Sequence, residues 1–259
     1  MKMRDKRGQV TLFIIIGIVI VALAVLIFLF FPKIQSALGF GEESPSQFLQ
    51  KCIEDSITES IETLSLQGGS IEPVSYFMHQ GERLEYLCYT SEYYLPCIMQ
   101  RPLLKHHIES EIENNIEEEV SACMIDLKDS FRGKGYSVQG ADEGFEVELL
   151  PEVVVVTFDS SINLNKGDES LNYDSIRVVV DNNLYELVSI TTSIINWEAT
   201  YGDSETTTYM NYYHDLKVEK LKQGEGTTVY ILSNRDSGEK FQFASRSVVF
   251  PPGYGASEI

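Results

Sequence analysis

The run Thr11–Phe31, TLFIIIGIVIVALAVLIFLFF, contains no charged residue and no proline. At ~1.5 Å per residue a helix of this length extends about 30 Å, the thickness of a bilayer's hydrocarbon core. A helix that is apolar all round has no wet face to turn to solvent, so the run predicts a membrane-spanning segment. Lys2, Arg4, Lys6 and Arg7 precede it against the single acid Asp5, and only Lys33 follows closely. Positive charge stays on the cytoplasmic side, which places the N-terminus inside and the chain after Pro32 outside. A cleaved signal peptide would have a shorter apolar region ending at a small-residue site. Here the one A-x-A, Ala22-Leu23-Ala24, lies in mid-run, which fits an uncleaved signal anchor better. The expected organisation is therefore a cytoplasmic basic segment (1–10), a transmembrane helix (11–31), a linker (32–45), a helical, disulfide-stapled part (46–135) and a β-rich part (136–259).

The chain carries 20 basic and 39 acidic residues, a formal net charge of −19. The basic residues ahead of the apolar run lie on the other side of the membrane, so the external part is more acidic still. Such a surface repels phosphate backbones, and no nucleic acid partner is expected. It suits solubility in a salty medium, divalent cations or a basic partner. All four cysteines, Cys52, Cys88, Cys97 and Cys123, fall on the external side, where an even number reads as disulfides. Four cysteines allow three connectivities, and the absence of any C-x-x-C weakens a zinc or thioredoxin-like reading.

Hydrophobic spacing narrows the pairing. After the linker, Ser44, Pro45 and Gln47 fit a capping box, and Phe48, Leu49, Cys52, Ile53, Ile57, Ile61 and Leu64 recur at three and four. This predicts a helix over 46–66, stopped by Gly68-Gly69. A second stripe, Leu104, Ile108, Ile112, Ile116, Val120, Cys123, Met124, Leu127 and Phe131, predicts a helix of about 28 residues that Gly133-Lys134-Gly135 ends. Cys52 and Cys123 both lie on these stripes, so packing the stripes brings the thiols together. Cys88 and Cys97 bracket YTSEYYLP and suit a hairpin closure. The favoured pairs are 52–123 and 88–97. Between the helices, residues 70–98 are turn-rich and aromatic and read as a loop with one or two short strands.

From Tyr136 the period changes to two. Strands are expected at 145–149, 153–158 and 176–180, then a helix from Leu184 to Ile195 with Asn183 and Glu186 as a capping box. Thr206–Tyr213 and Leu216–Leu221 read as strands, and Thr227–Leu232 with Lys240–Phe250 as a terminal hairpin. The fold class is α+β: an N-terminal transmembrane helix, a helical segment with two long helices, then a mostly antiparallel β domain.

Chemistry-bearing motifs are sparse. No G-x-S-x-G, H-E-x-x-H, phosphate loop or dinucleotide fingerprint occurs, so no catalytic residue, cofactor or metal site is expected. His107 and Glu111 form an i,i+4 pair, and Asp159, Asp168 and Glu169 are acids near a strand connection; each reads first as a solvated polar face. The same holds for Glu117–Glu119. The better lead is the aromatic group Trp197, Tyr201, Tyr209, Tyr212 and Tyr213, a candidate contact surface if it is not sheet packing.

Two resemblances bear on function. Arg7–Ile18 (RGQVTLFIIIGI), Cys52 followed by an acidic helix ending in Leu66–Gly69, and Phe241–Arg246 together resemble a group of uncharacterised archaeal membrane-anchored extracytoplasmic proteins. Lys6, Arg7, Gly8 and Gln9 resemble the class III signal sequence of archaeal type IV prepilins, which are cut between Gly and Gln. The resemblance makes Gly8-Gln9 a candidate processing site; Phe13 departs from it, where such pilins usually carry Glu. The expected function is a non-enzymatic surface contact, adhesion or accessory role for a single-pass protein held in the membrane by Thr11–Phe31, with a protein partner or self-association. The alternatives are a pilin-like filament subunit and an anchored enzyme or solute-binding protein.

Overall fold

The structure is a computed structural model and describes residue 20 and residues 43–140, 142–167 and 169–249. The expected span Thr11–Phe31, the basic segment before it and the Gly8-Gln9 junction lie, apart from Ile20, outside the described residues. Among the described residues no helix is long and apolar enough to cross a membrane. From Pro45 onward the chain forms one compact unit.

Two long helices organise that unit, α1 (Pro45–Gln67) and α2 (Leu104–Gly133). Every residue of the α2 stripe is buried, and Leu49, Ile53, Ile57, Ile61 and Leu64 of α1 are buried with them. At roughly 1.5–3 kcal/mol for each large apolar side chain, these two stripes dominate the stabilisation of the helices. The stripes meet as the spacing predicts, and Cys52–Cys123 bridges them with Cα atoms 6.0 Å apart.

A three-stranded antiparallel sheet packs on the helix pair, in the order β5 (Asp142–Leu150), β6 (Val153–Ser160), β9 (Ile176–Asp181). Three strands about 4.8 Å apart span the same width as two helices 8–10 Å apart, so polar residues flanking each stripe reach the sheet's edges. On the β5 edge, Glu113 Oε1 accepts from Val147 N at 2.8 Å and Glu109 Oε1 from Leu149 N at 2.9 Å. On the β9 edge, the Gln50 amide exchanges hydrogen bonds with Val179 N and O, and Ser46 Oγ donates to the Arg177 carbonyl. Both edges that would otherwise template strand addition are thereby occupied.

A larger sheet runs β1 (Tyr76–His79), β2 (Glu82–Tyr89), β12 (Lys240–Arg246), β11 (Thr227–Asn234), β10 (Leu216–Lys222), with β3 (Ile98–Met99) also on β2. Only the β12–β2 pairing is parallel. A third small sheet orders β4 (Ser137–Gln139), β7 (Ile162–Lys166), β8 (Glu169–Tyr173). Helix α3 (Leu184–Tyr201) packs against the large sheet, and short α4 (Thr207–Tyr212) follows it.

Within residues 70–98 the expected strands are β1 and β2, the latter eight residues long with Leu84 and Leu87 fully buried. Two local expectations are corrected. Within 206–213 the chain is helical over Thr207–Tyr212, because the Glu205 carboxylate accepts the Thr207 N–H at the helix start and Tyr209 docks on α3, overriding β-branched propensity. The Asn183/Glu186 capping box does not form. Asn182 Oδ1 takes the Leu184 N–H instead, while Asn183 bonds Glu239 and Glu186 accepts from Glu152 N.

Candidate functional site

The aromatic group of the C-terminal half is mostly surface. Trp197 is 49% exposed, Tyr201 61%, Tyr212 81% and Tyr213 52%; only Tyr209 packs against the core. Its arrangement follows from α3. Tyr185, Ser189, Ser193, Trp197 and Tyr201 recur every fourth residue and so share one outer stripe of that helix. The stripe is small in the middle and aromatic at both ends. Into the gap lies α4: Tyr209 Oη hydrogen-bonds Ser193 Oγ at 2.8 Å, and Tyr213 lines a cavity with Ser189 and Tyr185. At the other end the Trp197 and Tyr201 rings lie in tilted contact with centroids 4.8 Å apart and planes at 31°. The product is an aromatic strip along α3 and α4.

A second exposed apolar element adjoins the helix's C-terminal end. Cys88 of β2 is bonded to Cys97, closing a loop that exposes Tyr93, Tyr94 and Leu95, and Ile98 of β3 is exposed just beyond it. The loop is held firmly. Tyr94 N donates to Val248 O at 2.6 Å, Val248 N returns a bond to Leu95 O, and Arg246 Nη1 donates to Thr90 O. Tyr94 sits at φ +65°, a left-handed conformation that a bulky residue keeps only when its surroundings enforce it. Cys97 N donates to Ser247 Oγ, which reaches the Glu198 carbonyl of α3, so the loop is tied to the end of α3 that carries Trp197 and Tyr201. Sequence reasoning missed this element; its signal was the run of aromatics between two bonded cysteines.

Polar groups also converge where α1 ends. Ser70 Oγ lies 2.5 Å from Glu85 Oε2 and 2.8 Å from His107 Nε2, and Arg101 pairs with Glu85 Oε1 at 2.7 Å. Hydrogen-bond direction decides what this cluster can do. Glu85, ion-paired with Arg101, is an acceptor, so the one Ser70 proton goes to it and His107 Nε2 must donate to Ser70. A nucleophilic serine needs the opposite arrangement, with histidine receiving the hydroxyl proton. Burial, then the Arg101 cation, holds His107 below its ordinary range, so the neutral imidazole suits a structural donor. Glu111, the i,i+4 neighbour of His107 that the sequence places on a solvated polar face, accepts the Ile71 N–H. The cluster therefore locks the Gly68-Gly69 turn onto β2 and α2. Those glycines are at φ +82° and +97°, and a Cβ on Gly68 would stand 3.0 Å from Glu85 N.

The other metal-capable groups are dispersed or committed. Asp159 is on β6 and Glu169 on β8, in different sheets, and Asp168 lies outside the described residues. Cys52, Glu119 and Cys123 lie together, but both sulfurs are in the disulfide. No protein family matches the chain, and comparison with curated proteins and with solved structures finds no significant match.

Proposed function

We propose that the chain is a single-pass membrane-anchored protein whose extracytoplasmic unit makes a non-enzymatic contact, as an adhesion or accessory subunit, through its aromatic strip. The observation that carries this reading is the exposure of Trp197, Tyr201, Tyr212 and Tyr213 on one helical pair. Tyrosine and tryptophan offer large, rigid area with a polar tip and little side-chain entropy to lose, which is why they anchor interfaces. The disulfide-pinned Tyr93–Leu95 loop supplies further preorganised apolar surface beside it.

The test is site-specific photo-crosslinking in intact membranes, with the probe at position 212 or 94 and a control at the exposed α2 residue Glu118. Discrete adducts at 212 and 94, absent at 118, are expected. Adducts at no position, or equally at all three, would defeat the contact reading. A pilin-like subunit is the second reading, favoured by Lys6-Arg7-Gly8-Gln9, and is distinguished by the fate of the anchor.

A further inference from the structure

We propose that the cavity at the Tyr185 end of the aromatic strip is a binding site for one cationic side chain, lysine or arginine, of the partner protein; this rests on the contact reading above. The cavity, about 170 Å³, is smaller than a drug-sized site and large enough for the end of one side chain. Its walls include Tyr185 and Tyr213, with Ile190 and Leu216 in the lining. Two carboxylates, Glu186 and Asp215, belong to the lining beside the neutral polar groups of Asn183, Ser189 and Asn234.

Neither carboxylate has a cation. Glu186 Oε1 accepts from Glu152 N at 3.1 Å, but Oε2 is buried and accepts no hydrogen bond. Asp215 Oδ2 has only a long contact, 3.4 Å, from the Asn234 amide. Among the described residues neither is part of an ion pair. A buried carboxylate oxygen without a donor is costly, and the cost is relieved by a donor that arrives with positive charge. The aromatic walls suit the same guest, because a cation over a tyrosine face is attracted by the ring quadrupole while its alkyl stem packs on Ile190 and Leu216. An anion is repelled, and a neutral apolar group leaves Glu186 Oε2 unsatisfied. A divalent metal ion is less well matched, because among the described residues Glu186 and Asp215 belong to no group of three or more converging His, Cys, Asp or Glu ligands. The chain's charge of −19 draws basic partners toward the surface in general. The cavity turns that diffuse attraction into a register point beside Tyr212.

The experiment uses the full chain in non-ionic detergent micelles with methyl-labelled isoleucine, and n-butylguanidinium as the probe. Its neutral isostere, n-butylurea, is the control, at constant ionic strength. A saturable shift of the Ile190 methyl signal with the cation, at least tenfold weaker with the urea, is expected. Glu186→Gln combined with Asp215→Asn, which keeps shape and acceptor oxygens, is expected to weaken the cation by at least tenfold while the Ile53 and Ile112 signals stay in place. Should the double variant not fold, Asp215→Asn alone serves, with a smaller loss. Equal response to butylurea, a shift that never saturates, or cation binding unchanged in the variant would overturn the proposal. Crosslinking at position 212 reads the contact surface independently, so either reading can fail alone.

Discussion

Glu198 is a residue whose chemistry the fold alters strongly. It is 1% exposed on α3, accepts a hydrogen bond from the equally buried Tyr230, and faces Asp203, Lys220 and Lys222. Burial pushes its carboxyl up to about 7 from an ordinary 4.5, against the opposing pull of the Tyr230 hydroxyl. The folded chain thus holds this proton more tightly than the unfolded chain. The stabilisation is complete below about pH 4.5 and is lost as pH rises through about 7. At 1.36 kcal/mol per pKa unit the loss amounts to at most about 3 kcal/mol. Glu198→Gln, which imitates the protonated acid, is expected to flatten the decline of stability between pH 5 and 8 and to be the more stable form at pH 8. Urea unfolding of both proteins across that range checks it; parallel pH profiles would show that Glu198 is not the titrating group.

Among the elements, the two disulfides differ in what they constrain. Cys52–Cys123 spans 71 residues and ties α1 to α2, whereas Cys88–Cys97 spans 9 and pins a surface loop. In the chain-entropy picture these lengths correspond to about 4 and about 2.5 kcal/mol. Cys52→Ser with Cys123→Ser is expected to cost more stability than Cys88→Ser with Cys97→Ser. The second pair should instead loosen the Tyr93–Leu95 surface, read as faster amide exchange there; an equal or inverted stability ranking would contradict the model of loop closure. The pairing was legible in the sequence because both long-range cysteines sit on apolar stripes whose 3.6-residue period and glycine stops mark the helices. The position and extent of strand β2 were hidden, since ERLEYLCY is buried on parts of both faces and shows no clean alternation. Helix α4 was hidden by β-branched and aromatic composition, its helical state being set by Glu205 and Ser193. The Ser70–Glu85–His107 cluster and the Glu186–Asp215 cavity join residues 15 to 37 positions apart, which no local pattern registers. The aromatic strip was half legible: its residues could be named, but their exposure depended on where α4 lies.

For the whole molecule the open choice is between a bilayer anchor and a filament core, and it turns on Phe13. In the pilins that the start of the chain resembles, a carboxylate just inside the mature helix pairs with a neighbour's terminal amine and sets each subunit's register. Phe13 can accept neither a proton nor an ion pair and only extends the lipid-compatible face. With no polar side chain after Thr11 in the run, register in a filament core would rest on shape alone, whereas a bilayer asks of the same segment only its length. The remainder of the chain is consistent with an anchored unit outside the membrane. Two disulfides belong to an oxidising compartment, and the β5–β6–β9 edges are closed by Glu109, Glu113 and Gln50, leaving no template for strand-to-strand growth there. The chain is therefore expected to sediment with membranes after cells are sheared, and a tag placed after Ile259 should be open to protease on intact cells. Cleavage between Gly8 and Gln9 is compatible with this, because it removes only the short, net-basic segment ahead of the anchor. Thin filaments in the medium that contain this chain, with Gln9 as first residue, would overturn the anchor; protection of the tag in sealed cells would overturn the orientation. Phe13→Glu then supplies the decisive comparison, since restoring the carboxylate should impair membrane retention if length and apolarity alone hold the segment in place.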